Sequence, residues 1–132
     1  MILAELREIS KENKVHDLRA LLSDKPSIVI GRKNNFSAGQ SDIILGEDKY
    51  GKPRTEEFAI FGVSRRQAVI SYENGKYYLQ DFSEHGTTIM NNQRLGKGEK
   101  RVLENGVKLF FGRNRYGPVE FWQDFPENSG QI

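Results

Sequence analysis

The chain has 132 residues and no cysteine, a length at which one domain can bury a core without disulfide or metal support. The missing cysteines exclude a disulfide framework, thiol catalysis and cysteine-ligated zinc. With 20 Lys and Arg against 18 Asp and Glu, the formal net charge is +2, so no global basic field points to DNA and any anion site must be local.

The opening run Met1-Ile2-Leu3-Ala4-Glu5-Leu6-Arg7-Glu8 meets charge too early for a signal peptide, and no segment approaches the ~20 apolar residues of a membrane span. A soluble, cytoplasmic protein with no membrane role is expected. Leu3, Leu6, Val15, Leu18, Leu21 and Leu22 could mark a helical face, but Lys11-Glu12-Asn13-Lys14 reads as a turn between strands over 2–9 and 15–21. Short runs rich in β-branched and aromatic residues, bounded by Gly, Asn, Asp or Pro, predict further strands over 27–30, 66–72, 76–81, 87–90, 107–111 and 119–122, with another near Ile43-Ile44. Asn74-Gly75 and Asn105-Gly106 suit two-residue hairpin turns, which would make the flanking strands antiparallel neighbours. Residues 45–62 form a long polar connection, either a solvated insertion or a contributor to partner choice, and 126–132 read as a polar tail behind one domain over 1–125.

Three segments concentrate groups suited to an anion: Gly31-Arg32, Ser64-Arg65-Arg66-Gln67 and Asp81-Phe82-Ser83-Glu84-His85-Gly86-Thr87. Arginine is always charged and its planar fork can engage two phosphate oxygens, while a serine hydroxyl can donate to a third. Arg32 ends a strand and Ser64 precedes one, so both are expected at an exposed edge. Arg65 and Arg66 enter a strand, where neighbouring side chains diverge to opposite faces, so Arg65 is assigned to the ligand and Arg66 to solvent. Asp81, Ser83 and His85 contain the residue types of a hydrolase triad, but their two-residue spacing lacks its geometry and fits a turn in which Asp81 and Ser83 bond nearby amides. No catalysis is expected. No metal ligand spacing joins His16 to His85, and Gly96-Lys97-Gly98-Glu99-Lys100 lacks the spacing of a nucleotide phosphate loop, so neither metal nor cofactor is expected. Tyr77, Tyr78, Phe82, Phe110, Phe111, Phe121 and Trp122 are read as packing residues of alternating strands.

The order of these motifs resembles the forkhead-associated (FHA) domain. It runs from Ile28-Val29-Ile30-Gly31-Arg32 and Ser41-Asp42-Ile43 through Val63 to Ile70, Tyr78 to Ser83 and Gly86-Thr87, and ends at Leu103 to Gly112. The resemblance covers most of the chain and implies an all-β sandwich of two antiparallel sheets with ligand loops at one end. It also favours an N-terminal hairpin leading to Gly31-Arg32. Its implied function is recognition of phosphothreonine peptides, with Arg32, Ser64, Arg65, His85, Gly86 and Thr87 at the ligand. The implied partner is a threonine-phosphorylated protein, the product of a Ser/Thr kinase. Gln67 stands where the family usually has histidine, a residue that orders the binding loop, and His85 stands where it usually has asparagine. A phosphate-independent interaction module on the same fold is the alternative. Single-stranded nucleic-acid binding through Lys108, Arg113, Arg115 and Tyr116 ranks last.

Overall fold

Exposure along the strands follows the two-residue period of a half-buried sheet. In Lys76–Asp81, for example, Tyr77, Leu79 and Asp81 are buried while Lys76 is exposed and Tyr78 and Gln80 are half-buried. The structure, a computed structural model, describes residues 1–9, 14–33, 41–47 and 62–123. Within them the strands are β1 (Ala4–Glu8), β2 (Lys14–Asp17), β3 (Ser27–Gly31), β4 (Ile43–Ile44), β5 (Ala68–Glu73) and β6 (Lys76–Asp81). There follow β7 (Thr88–Met90), β8 (Gln93–Arg94), β9 (Lys100–Val102), β10 (Lys108–Phe111) and β11 (Tyr116–Gln123). One sheet has the order β2-β1-β11-β10-β7-β8 and the other β4-β3-β5-β6-β9, giving the expected all-β sandwich. The sheets are mostly antiparallel. The exception is β3 with β4, parallel through Ile30–Ile43 and Gly31–Ile44.

The core lies between the sheets. Leu6, Leu109, Phe111, Val119 and Phe121 of the first sheet and Ile28, Ile30, Ile70, Tyr77 and Leu79 of the second are each fully buried. Each such side chain contributes about 1.5–3 kcal/mol by leaving water. The rings of Tyr77 and Phe121, one from each sheet, stand 5.7 Å apart between centroids. Phe82 departs from the expected packing role, being 46% exposed, because β6 ends at Asp81 and the alternation ends with it.

The N-terminal segment resolves the helix-or-strand ambiguity in both directions. The expected strand over 15–21 stops at Asp17, whose carboxylate accepts from the Ala20 N–H at 3.1 Å and caps a one-turn helix, α1 (Leu18–Leu21). Leu18 and Leu22 are thereby buried together in the core. Asn74-Gly75 does close the β5–β6 hairpin, with φ of 51° and 80° and Glu73 paired to Lys76. Asn105-Gly106 behaves differently. There the Val107 N–H donates to the Glu104 carbonyl at 3.0 Å, and the turn joins β9 of one sheet to β10 of the other instead of two paired neighbours. Most of the polar connection over 45–62 and the whole tail over 126–132 lie outside the described residues. Among the described residues no helix is long and apolar enough to cross a membrane.

Among the described residues the sandwich also buries a carboxylate on β1. Glu8 is 1% exposed, and its carboxylate accepts from His16 Nε2 and the Tyr116 hydroxyl, both at 2.5 Å, and from the Gly46 N–H at 3.0 Å. Burial pushes its pKa up, but these hydrogen bonds and the adjacent imidazole outweigh that penalty and hold the carboxyl below its ordinary value. Tyr116, expected as part of an exposed nucleic-acid platform, is therefore a buried donor, and Lys108 lies 3.8 Å from Glu120.

Candidate functional site

The end of β3 runs directly beside the turn that precedes β5. The Arg32 N–H donates to the Ser64 carbonyl at 3.1 Å and the Gln67 N–H to the Ile30 carbonyl at 2.8 Å. The approach is close enough that a Cβ on Gly31 would lie 1.8 Å from the Arg65 carbonyl oxygen, so this position admits only glycine. Ser41 Oγ donates to that same carbonyl at 2.7 Å. Arg32 is aimed by its own Nε, which donates to the Val63 carbonyl at 2.9 Å and leaves both Nη nitrogens without a partner among the described residues.

Gln67 links this turn to the next loop. Fully buried, it accepts from the Ser64 N–H at 2.9 Å through Oε1 and donates through Nε2 to the hydroxyls of Thr87 at 3.1 Å and Thr88 at 3.0 Å. One amide thus ties the turn at Ser64 to the loop carrying Thr87. Asp81 continues the network. It falls on the core-facing side of β6, and its Oδ1 accepts from Ser83 Oγ at 2.7 Å and Thr88 Oγ1 at 2.6 Å. Ser83 Oγ in turn accepts from the Thr87 N–H at 2.7 Å, and Gly86 reverses the chain at φ 63°. Asp81, Ser83 and His85 are therefore parts of a turn, as their spacing implies.

These loops enclose an open cleft of about 680 Å³. Arg32, Ser64, Arg65 and His85 line it together, whereas Gly86 and Thr87 border neighbouring depressions. Arg66 also lines it, against the expectation that it would diverge from Arg65. The reason is local: residues 65 and 66 occupy a turn, and strand alternation begins only at Ala68. Ser64 Oγ accepts from the Glu84 N–H at 3.2 Å, so its own proton remains to be donated. Phe82 adds an apolar surface at the same cleft.

Two cations arrive from segments the sequence did not connect to the site. Lys97 reaches in from the turn before β9, its Nζ donating to the Glu84 carbonyl at 3.3 Å. Arg113 follows β10, and its N–H donates to the Gly62 carbonyl at 3.1 Å. Gly112 makes that contact possible, because its φ is 87° and a Cβ there would stand 2.5 Å from the Gly62 oxygen. A Gly-Arg pair at a strand end was the available signal, since Gly31-Arg32 has the same form. Among the described residues the lining therefore includes Arg32, Arg65, Arg66, Lys97 and Arg113 against one carboxylate, Glu84. Such an excess of exposed fork donors suits an anionic group. Among the described residues no group of His, Asp and Glu could hold a metal.

The sequence matches the FHA domain family over residues 28–112, a span that contains Arg32, Ser64, Arg65, Arg66, Lys97 and the loop of Glu84 and His85, and ends one residue before Arg113. The chain belongs to the FHA domain family. Among curated proteins none matches the sequence. The fold is similar to that of full-length yeast Pml1p, at 21% identity and a TM-score of 0.66 over 92% of this chain and 81% of that one. An FHA domain studied for phosphothreonine-dependent interactions is similar at 20% identity and a TM-score of 0.62, over 91% of this chain and 95% of that one. Mycobacterium tuberculosis EmbR, in complex with a low affinity phosphopeptide, is similar at 20% identity and a TM-score of 0.61, over 92% of this chain and 24% of EmbR. FHA domains are interaction modules, not enzymes, and this FHA domain presents its cationic loops at one end of the sandwich.

Proposed function

We propose that this FHA domain recognises phosphothreonine peptides and recruits a threonine-phosphorylated partner, the product of a Ser/Thr kinase. The observation that carries the reading is the fixing of Arg32: its Nε is held by the Val63 carbonyl, and it lines the cleft together with Ser64. A phosphate carries about −1.5 to −2 charges and three strong acceptor oxygens, matching a forked cation and a hydroxyl held in register. The phosphothreonine-dependent interactions of a similarly folded FHA domain support the same chemistry.

Matched peptides with and without phosphate on threonine test it by calorimetry. Phosphate should be required for measurable affinity. Arg32→Ala should weaken binding by at least roughly tenfold, as expected from loss of ~1.5–3 kcal/mol in charge-assisted bonds, with the melting transition little changed. Equal affinity for the two peptides would instead favour a phosphate-independent interaction module on these loops.

A further inference from the structure

A second arginine cluster adjoins the cleft. Arg94, Arg113 and Arg115 line a depression of about 240 Å³ bordered by Thr87 and Asn92, and among the described residues no Asp or Glu contributes to its lining. Arg113 lines both this depression and the main cleft, so the two adjoin. Arg94 is held in place by the loop carrying His85, donating through Nε to the Gly86 carbonyl at 2.5 Å and through Nη2 to the His85 carbonyl at 3.0 Å. The guanidinium groups of Arg113 and Arg115 have no partner among the described residues. Arg115 is also at φ 53°, a backbone conformation in which glycine or asparagine is the less strained choice. Among the described residues, neither packing nor an ion pair accounts for a long cation at a strained position beside two others in a pocket lined by no acid.

We propose that this depression is a second anion subsite that takes another anionic side chain, phosphate or carboxylate, of the same phosphopeptide. The inference rests on the reading of the cleft as a phosphothreonine site. Three arginines suit a phosphate dianion better than a single carboxylate, because each fork can engage two oxygens. Joining two contacts on one peptide makes the second intramolecular, so a weak local interaction raises the affinity of the whole ligand.

Calorimetry with a series of phosphothreonine peptides tests this, each carrying one further phosphoserine, glutamate or alanine at successive positions on either side. At a favoured position the second phosphate should tighten binding roughly five- to tenfold over alanine, and glutamate should give a smaller gain. Arg115→Asn, which suits positive φ, should abolish most of that gain while leaving affinity for the alanine peptide and the melting temperature intact or slightly improved. Lys76→Gln, which removes the same charge at the far end of β6, should leave the gain unchanged. No gain at any position, or an equal gain in the Arg115→Asn protein, overturns the subsite while the phosphothreonine site stands. Arg32→Ala and the unphosphorylated peptide report on that first site separately, and a protein indifferent to the first phosphate overturns both.

Discussion

Glu8 and Arg32 show two ways in which one small sandwich handles charge. Glu8 is a buried anion whose oxygens are met by an imidazole, a phenol and a backbone N–H, drawn from β2, β11 and the turn after β4. Arg32 is a half-exposed cation whose side chain makes a single hydrogen bond among the described residues, where it stands with four other cationic side chains and one carboxylate. A charge compensated inside the protein ties elements together, whereas an excess of one sign at an open surface is complete only when something binds. Mutations at the first should therefore act on stability and mutations at the second on affinity.

The largest effect tests the first half of that contrast. Glu8→Ala would leave three donors, two of them buried, without their acceptor and should destabilise the fold by about 3–5 kcal/mol, read from urea unfolding. Protonation should act in the same direction. The folded pKa of Glu8 is depressed below 4.5, so its contribution is fully present above that pH and is lost as pH falls through the folded value. Glu8→Gln removes the titrating group and should flatten the acid limb of stability below pH 4.5 relative to the unmutated chain. Weakened phosphopeptide binding by a still-folded Glu8 variant would break the separation between the two regions.

Gln67 lies between these regimes, since it is buried like Glu8 yet joins the loops that carry the cleft. Gln67→Ala should cost roughly 1–3 kcal/mol by leaving the Ser64 N–H and the threonine hydroxyls unmet, and affinity should fall with it as Ser64 loses its fixed position. Gln67→His should recover most of both losses, since imidazole can accept through one nitrogen and donate through the other. Loss of stability with undiminished affinity would show that the amide serves the fold alone.

How far such roles can be read from sequence depends on how local their cause is. The Asn74-Gly75 hairpin and the turn around Asp81 and Ser83 each follow from residues close in the chain and were legible there. The helix at Leu18 also carried a local sign, Asp17 as its N-cap, which competed with a pattern that suited strand equally well. β8 and β9 left little hydrophobic alternation, because Gln93 and Arg94 are exposed and Lys100–Val102 has no fully buried position. Arg113 and Lys97 were hidden for a different reason. Their places in the cleft depend on contacts to Gly62 and Glu84, made only once both sheets have assembled. The expected divergence of Arg66 from Arg65 failed because strand alternation was applied to a turn.

The smallest effect concerns His85, and it sharpens the contrast from the affinity side. Its side chain is 64% exposed and lies 3.9 Å from Glu84, so neither the fold nor the loop depends on the ring. The loop is held instead through the His85 main-chain carbonyl, which accepts from Arg94. Replacement should leave the melting temperature unchanged and act only on what the side chain can offer a ligand. Asparagine presents a donor and an acceptor on one amide, while a neutral imidazole places them on nitrogens pointing apart. His85→Asn should therefore tighten phosphopeptide binding by less than about 1.5 kcal/mol, the net worth of one ordinary hydrogen bond, and His85→Ala should weaken it by no more than that. Both follow from titrating one phosphothreonine peptide into each protein under identical buffer conditions. Identical affinities for histidine, asparagine and alanine would place this side chain outside the contact surface and leave the ligand to the arginines and Ser64.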